Sequence, residues 1–178
     1  MTVTLNGVIP STAATPGMTL LASDTTERTT AAGSAVDLVT LTGLSIAVTT
    51  PLLAVIHYHK TAGAAAAPLL GLKINATTVY EASAGGHIAK FSATDQVEDG
   101  VAQIIIGPRV ALYVAGALTT YQTTNSAGFG GAQAFGATAP SATIPVATIT
   151  DFIIRGSSAN ASVTLGVQSV FLYSLATS

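Results

Sequence analysis

The chain has 178 residues, of which 49% are hydrophobic and only 8% are charged, and its formal net charge is −2. Ordinary globular domains carry about 25% charged residues, so the deficit of charge is the unusual feature. Disorder is not expected, since disordered chains combine low hydrophobicity with high net charge and this sequence has a mean hydropathy of +0.59. A surface with so little charge resists association poorly, and we expect association with copies or partners to be its normal state.

The basic residues and the cysteine count restrict the partners further. Six basic residues are scattered along the chain without the cluster that phosphate binding requires, so nucleic acid is not an expected partner. There are no cysteines, hence no disulfides or thiolate metal sites, which fits synthesis in a reducing cytoplasm. Neither a signal peptide nor a run of about 18 apolar residues is recognised, so a membrane is not expected either.

Residues 1–34 are rich in Thr and Ala and are predicted to form an extended N-terminal arm. Proline at positions 10 and 16 limits any strand at its start. A second short strand is predicted over 18–22, followed by a polar loop or edge segment over 23–30. We interpret the arm as a segment that reaches a neighbouring subunit or a shell. Its candidate contact residues are Val3, Leu5, Val8 and Ile9.

From residue 35 onward the hydrophobic pattern has a period of two, which is typical of half-buried strands. The segment Leu52–His59 is apolar on both faces at its start, so it is predicted to be a central strand. A hairpin is predicted around Asn75-Ala76, and a turn over the acidic segment 95–100. Strands are further predicted over 36–41, 44–49, 69–74, 77–82, 87–91, 101–106, 110–115, 118–123, 149–156 and 163–173, the last with an irregularity near Gly166.

Residues 124–142 are predicted to form a long Gly- and Ala-rich loop with two isolated phenylalanines, Phe129 and Phe135. Loops of this length without secondary structure are uncommon unless they are functional or dock on a partner. A phenylalanine in such a loop packs either on the core of its own domain or in a pocket of a neighbour. The sequence leaves both alternatives open, so Phe129 and Phe135 join the candidates for partner contact.

About ten short strands without an amphipathic helix predict an all-β fold, namely a β-sandwich with jelly-roll-like topology. The absence of a fixed-period repeat disfavours a solenoid or propeller. Residues 1–34 are assigned to the arm, and residues 35–178 to the sandwich domain that carries the 124–142 loop.

Three histidines are the main candidates for chemistry. His57 and His59 lie two residues apart on a predicted strand and therefore share a face, where His87 could supply a third metal ligand. The alternative is that they are polar residues at a strand end or an oligomer interface, and we favour it, so no metal or cofactor is expected. No catalytic residues are expected either, since motifs for an activated serine, a phosphate loop or a zinc protease are absent from the sequence.

Several features of the chain occur together in one class of proteins. They are the polar lead Asp24-Thr25-Thr26-Glu27, the many short strands, the scarcity of charge, and the run 151–156 that continues through 161–165 into a last aromatic strand. In these features the chain resembles the small β-rich structural proteins of tailed bacteriophages. The resemblance implies a non-enzymatic virion protein, most specifically a capsid decoration (cement) protein or a head or tail accessory protein.

The resemblance also implies a homotrimer that binds a major capsid protein or another virion protein, and location in the virion after synthesis in the host cytoplasm. Two alternatives stay open. One is a jelly-roll module that binds a glycan or a receptor, although the chain has no Trp and only five Tyr. The other is a secreted filament subunit that exchanges strands. A hydrolase on a β scaffold is the least favoured interpretation.

Overall fold

The structure, a computed structural model, describes residues 17–61, 68–80, 88–90, 98–106, 112–113, 121–122, 144, 146–158 and 160–175. Regular secondary structure in these residues consists of strands only, which confirms the predicted all-β class. No helix long and apolar enough to cross a membrane occurs in this part of the chain. In chain order the strands are β1 (Met18–Asp24), β2 (Arg28–Thr30), β3 (Val36–Leu41), β4 (Ile46–Ala47), β5 (Leu52–Lys60), β6 (Leu69–Ile74), β7 (Thr77–Tyr80), β8 (Ala89–Lys90), β9 (Glu98–Ile106), β10 (Leu112–Tyr113), β11 (Tyr121–Gln122), β12 (Thr148–Ile149), β13 (Phe152–Ser157) and β14 (Leu165–Leu175).

Two antiparallel sheets make up the sandwich. The larger sheet has seven strands in the order β1-β14-β5-β9-β10, with β2 added to β14 and β11 added to β9. The smaller sheet has five strands in the order β3-β13-β6-β7, with β8 added to β6. A separate two-stranded ladder of β4 and β12 places the buried Ile46 opposite the buried Ile149.

The eight principal strands pair in a nested order. The first, β1, pairs with the last, β14, and the next, β3, pairs with β13. Inside these, β5 pairs with β9 and β6 pairs with β7. The chain therefore folds as one long hairpin of four nested strand pairs. The pairs β1–β14 and β5–β9 lie in the larger sheet, and β3–β13 and β6–β7 lie in the smaller sheet. This is the jelly-roll arrangement that the spacing of the strands predicts.

Strand β5 shows how the sequence pattern places the core. Its nine residues alternate between buried and half-buried side chains, because successive side chains of a strand point to opposite faces. Leu52, Ala54 and Ile56 have no exposed surface and point toward the smaller sheet. The strand lies between β14 and β9, which confirms the predicted central position.

The smaller sheet contributes the other half of the core. Phe152 and Ile154 of β13 and Leu72 and Ile74 of β6 are fully buried and belong to the same hydrophobic cluster as the inner residues of β5. Full burial of one such side chain stabilises the fold by about 1.5–3 kcal/mol. The core therefore lies between the two sheets, and the outer face of each sheet is left for other roles.

The hairpin predicted around Asn75 is present as β6 and β7. The turn predicted over 95–100 is wrong at its end, because Glu98, Asp99 and Gly100 already belong to β9 and pair with β5. The irregularity expected near Gly166 lies two residues further on, where the register of β14 shifts between Val167 and Ser169. Periodicity alone cannot locate strand ends or register shifts, because both depend on the strand that pairs alongside.

The segment predicted as an N-terminal arm contains two strands of the larger sheet. Both β1 and β2 pair with β14, and the strand predicted over 18–22 is present as β1. Residues 1–16 and the loop 124–142 lie outside the described residues. The contact of the arm with a neighbour and the docking of the loop stay predictions.

Candidate functional site

The outer face of the larger sheet carries an unusual set of side chains. Directly paired residues of antiparallel strands point to the same side, so the register places Leu20, Tyr173, Leu53 and Ile105 in one row across four strands. We call this row the apolar band. Three of its members are half-buried and Leu20 is 50% exposed. Since the outer face of an antiparallel sheet is usually polar where it meets water, the band makes this face a candidate contact surface.

Aromatic side chains extend the apolar band along the same face. The rings of Phe171 and Tyr173 are stacked, with centroids 6.5 Å apart and an interplanar angle of 25°. His57 meets the Phe171 ring edge-on, at a centroid distance of 6.3 Å. Offset-stacked and edge-to-face geometries are the favourable arrangements of aromatic rings. The result is a continuous, half-buried aromatic surface beside the band.

The opposite end of this face is polar. The His59 ring packs over Gly166, where an added Cβ would lie 2.1 Å from its Cε1 atom. Its Nε2 atom lies 3.4 Å from a carboxylate oxygen of Glu27. Its Nδ1 atom is buried and has no hydrogen-bond partner among the described residues. Asp99 stands opposite His59 in the register, so polarity rises along the face from the apolar band toward this end.

The two histidines share a face, as the sequence predicts, but they have different surroundings. His57 contacts an aromatic ring, whereas His59 contacts a glycine and a carboxylate. Within the described residues no three His, Cys, Asp or Glu side chains are placed so that they could hold a metal ion. His87, the third candidate ligand, lies outside those residues.

The outer face of the smaller sheet has a contrasting character. The Lys73 ammonium donates a hydrogen bond to Asp37 over 3.0 Å, and the Arg155 guanidinium donates one to the other carboxylate oxygen over 2.8 Å. Burial raises the pKa of the Asp37 carboxyl, but these hydrogen bonds and charges outweigh it and hold the pKa below its ordinary value of 3.8. These paired charges suit this part of the smaller sheet's outer face to contact with water.

The candidate partner-contact residues predicted from the sequence all lie outside the described residues. They are Val3, Leu5, Val8, Ile9, Phe129 and Phe135. The sequence does not predict the apolar band. Its signal in the sequence is that β5 and β14 both contain consecutive apolar residues, which puts apolar side chains on both faces of a strand. Consecutive apolar residues also predict a central strand that is buried on both faces. The sequence alone therefore cannot distinguish such a strand from one with an apolar outer face.

Comparisons with known proteins supply no family. No protein-family model matches the chain, and no curated protein matches it. Among solved structures, a legume lectin-like domain from Entamoeba histolytica matches 82% of this chain and 89% of its own, with 8% identity and a TM-score of 0.29. The VP2 subviral particle of infectious bursal disease virus matches 97% of this chain and 46% of its own, with 13% identity and a TM-score of 0.23. At these TM-scores neither similarity carries an argument about function.

Proposed function

We propose that this protein is a non-enzymatic structural subunit of a virus particle, most specifically a capsid decoration protein that stabilises a shell by packing against it. The observation that carries the proposal is the apolar band. The band combines the exposed Leu20 with the half-buried Tyr173, Leu53 and Ile105 on an outer sheet face. Covering this apolar surface with a partner is favourable because it removes the surface from water.

The distribution of charge supports the same function. The paired charges of Asp37, Lys73 and Arg155 lie on the smaller sheet. The ion pairs of the larger sheet, Asp24–Arg28 and Glu27–His59, lie outside the apolar band. Many weak apolar contacts, repeated by the symmetry of a shell, add up to firm attachment without one strong contact. The expected partners are therefore copies of this chain and a major capsid or other virion protein, with the virion as the place of action.

The fold supports a virion role by analogy only. Jelly rolls occur in viral capsid proteins, in lectins and in other classes, and a fold shared among functions cannot select one of them. The choice of a decoration protein rests on the chain's resemblance to small bacteriophage structural proteins and on the scarcity of charge.

A glycan- or receptor-binding module is the second candidate. The stacked pair Phe171 and Tyr173 beside His57 is the kind of surface on which a sugar ring packs, with a polar side chain at its border. This surface spans only β5 and β14, whereas the apolar band, which shares Tyr173 with it, crosses four strands. We prefer the structural function because the band crosses more of the sheet.

The test is binding of the purified chain to particles assembled from the shell protein encoded nearest to its gene. We expect saturable co-sedimentation, and electron microscopy should show added density at symmetry-related positions on the shell. A glycan array is run in parallel. Saturable binding to a glycan together with no binding to the shell would replace the structural function with the second candidate.

A further inference from the structure

Two histidines of β5 lie on the outer face of the larger sheet. His57 and His59 are two residues apart and therefore point to the same side, and both are half-buried. Histidine is the side chain whose charge ordinarily changes between about pH 5 and pH 8. Since the apolar band and its aromatic extension lie on this face, a proton gained here changes the charge of the surface that is proposed to meet a partner.

Uncharged groups lie around His57. Ser169 of β14 and Val101 of β9 stand directly opposite it in the register. The Phe171 ring meets it edge-on, with centroids 6.3 Å apart. Among the described residues no ion pair includes His57. A proton on this ring therefore creates a charge that no described carboxylate pairs with.

The charged groups of this face lie around His59 instead. The Glu27 carboxylate is 3.4 Å from the His59 Nε2 atom, and Asp99 stands opposite His59 on β9. Tyr173 of β14 also points to this side, but a phenol is uncharged at neutral and mildly acidic pH. A proton on His59 therefore strengthens an existing contact with a carboxylate, whereas a proton on His57 does not.

We infer that His57 makes the attachment of this protein to its shell dependent on pH, so that the protein binds near neutral pH and is released under mildly acidic conditions. The inference rests on the proposed function and adds the regulation of the same contact face. In the free protein water reaches the half-buried His57 ring and hydrates its charge. A partner that covers the face removes this water, and burial of an unpaired charge costs far more than burial of a neutral imidazole.

The surroundings of His59 make it an internal comparison for His57. Its charged form already has a partner in Glu27, so covering the face does not leave that charge unpaired. The other ion pair of the larger sheet, Asp24 with Arg28, joins β1 and β2, which β14 separates from β5. The two histidines share residue type, strand and face, and they differ in the groups around them.

The experiment measures binding of the full chain to particles assembled from the shell protein encoded nearest to its gene, at about pH 7.5 and about pH 5.5. It compares the wild type with His57→Gln and His59→Gln, because glutamine keeps a polar side chain that does not gain a proton. Titration of the shell itself affects all three proteins equally. The readout is therefore the ratio of the two dissociation constants in each protein.

We expect the wild-type dissociation constant to be at least about fivefold larger at the acidic pH. The ratio for His57→Gln should be less than about twofold, and His59→Gln should keep the wild-type ratio. Urea denaturation at both pH values shows that each protein is folded. His57→Phe, which keeps a ring beside Phe171, is a second variant that should also lose the pH response.

Equal ratios in the wild type and both His57 variants would overturn the inference and leave the proposed function standing, because the shell is still bound. A pH response that is lost in His59→Gln and kept in His57→Gln would overturn it as well, as would tighter binding at the acidic pH. Failure of the wild type to bind the shell at either pH would remove the proposed function and, with it, the inference that rests on it.

Discussion

Asn75 shows how a single side chain connects distant parts of this fold. Its φ of 53° lies in the left-handed region, which asparagine tolerates better than other non-glycine residues. Its side-chain oxygen accepts hydrogen bonds from the backbone N–H groups of Thr150 and Asp151, at 2.8 and 3.1 Å. Its amide nitrogen donates to the Thr148 carbonyl over 3.0 Å. The turn between β6 and β7 is thereby fixed to the segment that leads into β13.

Replacing this residue should therefore cost more than an ordinary turn mutation. We expect Asn75→Ala to lower the free energy of unfolding by about 2–3 kcal/mol, since it removes several hydrogen bonds and puts alanine in a left-handed conformation. Urea denaturation measures the change. Asn75→Gly, which keeps the backbone freedom, should cost less.

Asn160→Ala is the matched control for the loss of an asparagine side chain in a turn. The side-chain oxygen of Asn160 accepts one hydrogen bond, from the Ser162 N–H over 2.9 Å. We therefore expect Asn160→Ala to lower the free energy of unfolding by about 1 kcal/mol or less. Equal losses at positions 75 and 160 would contradict the role assigned to Asn75.

The ion pairs of Asp37 predict a pH dependence of stability. Because the pKa of Asp37 is lowered in the folded state, the unfolded chain binds this proton more readily. The stabilisation is present above the ordinary pKa of 3.8 and is lost as the pH falls through the lower folded value. Since the carboxylate is 39% exposed, we expect less than about 1 kcal/mol, reduced further by salt.

Asp37→Asn should remove this contribution. Chemical denaturation of the wild type and the variant at pH values above and below that range gives the difference. If the free energies of unfolding of the wild type and Asp37→Asn differ by the same amount at every pH, the pairing of Asp37 with Lys73 and Arg155 adds nothing to folding.

At the scale of the strands, the sequence predicts the positions of several elements well. Apolar residues on both faces at its start identify β5 as a central strand, and the residues Asn75-Ala76 identify the turn between β6 and β7. Partner strands and exact ends are not predicted, because they depend on residues far away along the chain. The membership of β1 and β2 in the larger sheet, for example, requires β14, which lies more than a hundred residues later.

The contact between β14 and β5 at Gly166 gives a prediction at this scale. A Cβ at this position would lie 2.1 Å from the His59 ring, closer than two carbon atoms can approach, so the ring must move. Glycine inside a strand often marks such a close approach. We expect Gly166→Ala to destabilise the fold by about 1–3 kcal/mol.

A double-mutant cycle isolates the contact. In the His59→Ala background, Gly166→Ala should cost less than about 1 kcal/mol, since the obstructing ring is gone. If the cost is the same in both backgrounds, the loss arises from the backbone of β14 rather than from His59.

At the scale of the whole molecule, the two outer faces of the sandwich differ in kind. Asp37, Lys73 and Arg155 form a charged outer surface on the smaller sheet, whereas the larger sheet presents the apolar band and its aromatic extension. The sequence predicts the scarcity of charge and the shared face of His57 and His59. It cannot predict that Asp37, Lys73 and Arg155 meet on the outer face of the smaller sheet, because that requires the register of β3, β6 and β13.

The measurement that tests the account most directly compares two leucine substitutions in binding to the shell particles. Leu53→Asn changes the middle of the apolar band, and Leu69→Asn changes a half-buried leucine on the outer face of the smaller sheet. Burial of a leucine contributes about 1.5–3 kcal/mol, so Leu53→Asn should weaken binding at least about tenfold. Leu69→Asn should bind like the wild type. Equal binding by all three proteins, or a loss confined to Leu69→Asn, would contradict the assignment of the larger sheet as the contact face.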